Sequence, residues 1–194
     1  MEHQAKDFKH LLGLPGFSDK QLTEHFTLYQ GYVKKLNEIE TKLKTTDKST
    51  PNYSYNEYSE LLRRRVVPYN GTYLHQAYFE NLNKTPGQPS IQLKKAAEES
   101  FGNWDNMIKE LRTAAGSTTG WVLLTRNPID QQLSVWIMYE HHIGLPVHNE
   151  LLLALDCWEH AFMIDYGINK TAYLDAFFKA ADWKVVSERY QNVA

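Results

Sequence analysis

The segment Leu155-Asp156-Cys157-Trp158-Glu159-His160 carries the most concentrated chemistry in the chain, because a wholly apolar run leads directly into a carboxylate and an imidazole spaced i and i+4. One helical turn would set both on the same side, where an oxygen and a nitrogen donor can share one cation. Taken alone, the pair also fits a helix start that Asp156 caps, with His160 satisfied in a core. Cys157 is the only cysteine. No intrachain disulfide can form and a multi-cysteine zinc or iron-sulfur site is excluded, so any metal must be held by histidine and carboxylate.

Composition narrows the function classes further. With 194 residues, 42% apolar and 13% aromatic, the chain can bury a real core as one domain or two small ones. A formal net charge of -2 leaves no basic stripe, and Arg63-Arg64-Arg65 reads as the solvated face of a helix, so no nucleic-acid partner is expected. No apolar run of membrane-spanning length occurs, and Met1-Glu2-His3-Gln4-Ala5-Lys6 lacks the apolar centre of a secretory signal. The expectation is a soluble cytoplasmic protein with no membrane partner.

Periodicity supplies the elements that must position the donors. Ser18 followed by Gln21 looks like a capping box, behind which Leu22, Phe26, Tyr29, Val33, Leu36 and Leu43 recur at helical spacing, predicting a helix over about 18–44. A polar stretch with Pro51 follows, and helical spacing returns from Tyr55 to Leu82, where Pro68 and Gly71 should interrupt or kink the helix. The first half is then an antiparallel helical hairpin. Pro86, Gly87 and Pro89 mark the boundary between an N-terminal α-hairpin domain, 1–86, and a C-terminal α+β domain, 87–194. In the latter, Ile91 to Glu99 and Trp104 to Ala115 read as helices. Trp121 to Thr125 and Leu133 to Tyr139 read as strands joined by a turn at Asn127-Pro128-Ile129-Asp130, and Leu151 to Leu155 as a third, buried strand. Tyr173 to Ala181 and Asp182 to Tyr190 return to helix. The fold class is α+β, a long-helix hairpin plus a domain around a three-stranded antiparallel sheet.

Beyond spacing, DCWEHAFMIDY at 156–166 resembles the D-V-W-E-H-A-Y-Y-L-D-Y signature of iron/manganese superoxide dismutases. FGNWDNMIKELRTAAGSTTGWVLL at 101–124 is similar to that family's F-G-S-x-x-x-F-K-x-E-F block leading to G-W-x-W-L, and YLDAFFKAADWKVVSERY at 173–190 to its C-terminal tail. QGYVKKLN at 30–37 and HQAYFENL at 75–82 extend the resemblance over nearly the whole chain.

The resemblance implies metal ligands at Asp156, His160 and His75, with a fourth from the first helix. His25 is the only histidine there, and it shares a face with Leu22, Tyr29, Tyr32 and Leu36. The family ligand precedes the tyrosine matched by Tyr32 by eight residues, whereas His25 precedes it by seven and Glu24 stands at minus eight. A one-residue helix bulge would reconcile the two, with Glu24 as the alternative ligand. The resemblance further implies one Fe or Mn ion per subunit, superoxide as substrate, and a homodimer or tetramer. Three neutral imidazoles and a carboxylate leave a divalent or trivalent ion net positive, which attracts an anionic one-electron substrate in either oxidation state.

Around the ligands, the resemblance assigns Tyr32 to the substrate gate and Trp121 and Trp158 to the walls. Leu123 stands where the family has a further tryptophan. Glu159 matches a glutamate that reaches across a dimer interface to the partner chain's ligand histidine, an arrangement that fixes a tautomer and raises ligand basicity. Tyr29 occupies the place of a second, non-ligating histidine whose cross-subunit tyrosine partner is Met163 here. The family's solvent-contacting glutamine comes either from a position that is Gly71 in this chain or from the strand before the signature, which makes His141 its replacement as proton shuttle, with His142 as the alternative. The channel arginine falls near Asn169, leaving Lys170 as the nearest cation. His3, His10 and His148 have no assigned role. The functional expectation is an antioxidant superoxide dismutase, and the alternative is a metal-binding relative without turnover.

Overall fold

The structure is a computed structural model and describes residues 2–192. Helix α1, Asp19–Thr45, begins where the Ser18 side chain accepts from the Gln21 N–H, satisfying one of the orphan donors of the first turn. It buries Leu22, His25, Phe26, Tyr29, Val33, Leu36, Ile39 and Leu43, a stripe recurring every three or four residues. Helix α2, Glu57–Glu80, is capped by Asn56 and packs along α1. The antiparallel hairpin therefore forms as the sequence predicts.

Two expectations about these helices need correction. Of the interruption or kink expected at Pro68 and Gly71, the interruption does not occur: α2 is one helix through both. Proline removes only the bond to the carbonyl four residues earlier, that of Arg64, and Arg64 is exposed, so water can replace the missing donor. α1 is regular α-helix throughout, with no bulge between His25 and Tyr32. Seven residues return to within about 20° of the starting direction, whereas eight overshoot by about 80°. The spacing that looked one residue short is thus the one that keeps both side chains on one face of an unbroken helix.

Helices α3, Ile91–Phe101, and α4, Trp104–Gly116, lead into the sheet. Strands β1, Trp121–Arg126, β2, Leu133–Met138, and β3, Glu150–Asp156, are antiparallel in the order β2-β1-β3. The central β1 is buried on both faces, which is why it reads as a continuous apolar run. β3 ends with Asp156 opposite Trp121, so the strand register delivers the carboxylate to the head of the sheet. A 3-10 turn, Glu159–Ala161, and helix α5, Met163–Tyr166, follow, and then α6, Lys170–Ala180, and α7, Trp183–Asn192.

The hairpin is fastened to the sheet at the end of α2. Asn81 Nδ2 donates to the Ala154 carbonyl at 3.1 Å, and the Asn81 carbonyl accepts from the Asp182 N–H at 2.6 Å. The Arg189 guanidinium reaches Asn81 Oδ1 at 2.6 Å, the Leu152 carbonyl at 2.8 Å and Glu80 at 2.8 Å. Three elements distant in sequence are thereby held in one register. A single apolar cluster runs from Phe8 and Leu22 through Phe79 to Trp121, Leu155 and Phe177.

Gly120 sits where β1 and β2 come closest: a Cβ there would lie 1.8 Å from the Met138 carbonyl oxygen. Both partners are backbone, so neither can step aside. Gly120→Ala is expected to cost about 3 kcal/mol or more, at the upper end of overpacking effects, read as a lowered urea midpoint. A midpoint within error of wild type would contradict the close approach.

Candidate metal centre

Asp156 is fully buried, and three imidazoles converge on one of its oxygens. His25 Nε2, from the second turn of α1, lies 3.1 Å from Asp156 Oδ2. His160 Nε2, from the 3-10 turn after β3, lies 3.1 Å from the same atom. His75 Nε2, from α2, stands at 3.5 Å. The donor atoms of all four residues lie within 4.8 Å of one another. Glu24 is exposed on α1 and outside this group, so it is His25 that the fold brings to the other three.

The orientation of His75 is set by its own helix. Its Nδ1 lies 2.6 Å from the Gly71 carbonyl four residues earlier, so Nδ1–H donates there and Nε2 keeps its lone pair toward Asp156. That Nε2 is buried with no hydrogen-bond partner. The His75 Nε2 lone pair, aimed at the Asp156 carboxylate oxygen, is repelled by it unless a positive centre lies between them. A cation with three nitrogen donors and one oxygen donor satisfies this, and the donor set suits a first-row transition metal. Cys157 takes no part: burial pushes its thiol up to about 12, which keeps it protonated beside the Asp156 carboxylate.

The charge states follow from the same geometry. Burial favours protonation of Asp156, but the His160 charge and the hydrogen bonds from His160 and His25 outweigh it, so the carboxyl stays ionised. Burial lowers His25 and lowers His75 further, keeping both neutral. Burial also acts against charge on His160, whose side chain is 31% exposed, yet the Asp156 carboxylate more than offsets it and raises the imidazole above its ordinary value. The metal-free site thus favours a proton on His160 at mildly acidic pH.

Around these four lie most of the residues singled out from the sequence. The half-buried Tyr32 ring packs 5.2 Å from His75 and 4.9 Å from His141, centroid to centroid. Room for it comes from Gly71, where a Cβ would meet Tyr32 ring carbons at 2.6 Å. A longer side chain at that position cannot coexist with this placement of Tyr32. His141 is 5% exposed and stacks on Trp158, while His142 is exposed, so His141 is the histidine of the pair that faces the centre. Its carbonyl is held by Asn70 Nδ2, and burial lowers its imidazole. His141 Nε2, Trp121 Nε1 and Trp158 Nε1 are buried without protein partners, like His75 Nε2. Burial raises the Tyr32 phenol, and the Asp156 charge adds to that, so it stays protonated.

Other candidates lie further out. Tyr29 is buried behind Phe79 rather than against the donors, and its hydroxyl accepts from the Lys6 N–H at 3.1 Å. Glu159 is exposed beside His160, and Met163 is 45% exposed. Asn169 caps α6 through the Ala172 N–H, and the Lys170 ammonium donates to the Thr118 carbonyl. His3 pairs with the Tyr73 hydroxyl on the hairpin. Sequence reasoning passed over Asn70, the Gly71 carbonyl and Tyr173, whose hydroxyl donates to the Asp156 carbonyl at 2.6 Å. The second had a signal: Gly71 sits four residues before His75, where a helical imidazole finds its i-4 carbonyl.

Two long helices packed on an antiparallel sheet, with three imidazoles and a buried aspartate at their seam, define a mononuclear metal protein. The family model described as iron/manganese superoxide dismutases, C-terminal domain, matches residues 89–189. Superoxide dismutase (Fe) of Aquifex pyrophilus is 37% identical over 196 residues, covering 97% of this chain and 91% of that protein. Superoxide dismutase (Fe) of Aquifex aeolicus is also 37% identical, with the same coverage of 97% and 91%. Superoxide dismutase (Mn) 2 of Halobacterium salinarum is 32% identical, covering 92% and 89%. The chain belongs to the iron/manganese superoxide dismutase family.

The charge states give a prediction about loading. His160, raised above its ordinary value, is protonated in the metal-free site at mildly acidic pH and must lose that proton to bind an ion, whereas His25 and His75 are already neutral. Metal binding should therefore release about one proton near pH 6 and progressively fewer toward pH 9. Calorimetric titrations in buffers of different ionisation heat measure this; release near zero at the acidic end would contradict the assignment.

Proposed function

We propose that the protein is a superoxide dismutase that binds one iron or manganese ion through His25, His75, Asp156 and His160. The observation that supports this best is the convergence of three imidazole nitrogens, from three separate elements, on Asp156 Oδ2. The chemistry an iron or manganese ion supplies when bound is a one-electron couple, by which one superoxide is oxidised to dioxygen and a second reduced to peroxide. The ionised Asp156 lowers the net charge of the site, while the neutral His25 and His75 leave it positive enough to attract an anion. His75 is held in the correct tautomer by the Gly71 carbonyl.

Reduction of superoxide to hydrogen peroxide consumes two protons, and the groups placed to hold protons are Tyr32 at its hydroxyl and His141 at Nε2. The two rings pack at 4.9 Å, and both groups are kept uncharged by burial. Trp121 and Trp158 exclude bulk water, so that protons arrive through these side chains. Tyr29 acts from behind, supporting Phe79 against the His25 and His75 rings.

The functional unit is a homodimer, or a tetramer built from it, in which the exposed Glu159 carboxylate reaches the partner chain's His160. Exposed Met163 and Ile164, next to that turn, supply apolar surface for the contact. The chain divides into an α-hairpin domain over 1–86 and an α+β domain over 87–194, with ligands drawn from both. A cytoplasmic location agrees with the single cysteine, and no helix of the described residues is long and apolar enough to cross a membrane. The formal net charge of -2 argues against nucleic acid as partner.

Purified protein should carry about one iron or manganese ion per chain and accelerate superoxide decay. Chelation should abolish the activity, and reloading with the proper metal should restore it. Stoichiometric metal with no acceleration would instead identify a non-catalytic relative, and absence of binding would end the metal reading.

A further inference from the structure

Three of the four proposed ligands sit inside elements that hold themselves: His25 and His75 within long helices, Asp156 on a paired strand. His160 does not. It belongs to a three-residue 3-10 turn, Glu159–Ala161, with no side-chain cap, followed by a four-residue helix that has none either. So short a turn has little intrinsic stability, and its side chain is 31% exposed. The Asp156 carboxylate holds the tip of the imidazole at Nε2, but something outside the turn must fix the backbone that carries it.

We propose that Gln21 is the positioning residue for His160. Gln21 is 1% exposed on the first turn of α1. Its Nε2 donates to the His160 carbonyl at 2.6 Å, and its Oε1 accepts from the Ile164 N–H at 3.2 Å. One planar amide thus holds the backbone within the turn and just beyond it, the His160 carbonyl from 139 residues away in the chain. The neighbouring Ser18 N–H donates to Asp165 Oδ2 at 2.7 Å, a third fastening of α1 to the same segment. Gln21 and His25 are one helical turn apart, so α1 carries a ligand and, directly above it, the clasp for a second ligand whose ring lies 5.1 Å from the first. Any shift of α1 moves the two imidazoles together, which preserves their separation.

Both groups of the Gln21 amide are used, and the carbonyl it grips belongs to the ligand residue itself. Removing the amide frees the turn to rotate. The ion then dissociates faster although every ligand side chain is intact, because the loss is in preorganisation. The inference rests on the reading of His160 as a metal ligand.

The test is the rate at which metal-loaded protein releases its ion to a strong chelator, for wild type, Gln21→Met, Gln21→Glu, His160→Ala and Asn103→Ala. Asn103→Ala removes the cap of α4, an element that carries none of the four donors, and controls for stability loss alone. Gln21→Met, of similar length but without hydrogen bonds, is expected to release metal about tenfold faster than wild type, and Asn103→Ala within about twofold of it despite a lower Tm. Gln21→Glu keeps the acceptor for Ile164 and loses the donor to His160, so it should also accelerate release and serves if the methionine variant does not fold. Wild-type rates in both Gln21 variants, or equal acceleration in Asn103→Ala, would overturn the proposal. Should His160→Ala release metal as slowly as wild type, it is the ligand reading that fails, and the proposal falls with it.

Discussion

The structure is organised around one charge that has no access to water, the carboxylate of Asp156. An ionised carboxylate in a dry interior costs several kcal/mol unless opposite charge and hydrogen bonds surround it. Here the compensation comes from outside the strand that carries the residue: His25 from α1 and His160 from the turn beyond β3 on one oxygen, with Trp158 N–H on the other, while His75 from α2 aims a lone pair at the same point. Each of these elements must therefore reach one point. The length of the hairpin, the burial of β1 and the bolting of α2 to β3 through Asn81 and Arg189 all follow from that requirement. A site of this kind cannot be built by one element, and this ties the metal chemistry to the docking of the two halves of the chain.

Small side-chain choices then decide how the surroundings fill. The seven-residue step from His25 to Tyr32 suits a straight helix, so Tyr32 faces α2 at the height of His75. Gly71, lacking a Cβ, lets the tyrosine ring lie against the helix backbone, and its carbonyl fixes the His75 tautomer. With that position closed to any long side chain, the polar group above the donors has to come from the β2–β3 connection. His141 occupies the place, pinned by Asn70 from the same turn of α2. One glycine thus couples the placement of Tyr32, His75 and His141.

Much of this was legible before any coordinates. Helix spacing gave the hairpin, the three short apolar runs gave the sheet, and family-like segments pointed to the four donors the fold gathers. The errors lay where a local rule met a wider context. Interruption was one of the two outcomes expected at Pro68, but its missing bond falls on the solvent side at Arg64 and the helix continues. A bulge was expected in α1 from a residue count, although helical geometry already favoured the shorter count. What the sequence could not show were contacts whose partners lie far apart in the chain, such as Gln21 with His160 or Arg189 with Leu152. Such pairs have no periodicity and no fixed spacing, and they become visible only once the elements have docked.

The central claim is that these four side chains enclose a single transition-metal ion. Anomalous diffraction from crystals of the loaded protein, recorded at the iron and manganese absorption edges, tests it most directly. The account predicts one strong peak per chain, bounded by the Nε2 atoms of His25, His75 and His160 and by the Asp156 carboxylate. A peak bound elsewhere, with Asp156 still paired only to its histidines, would contradict it.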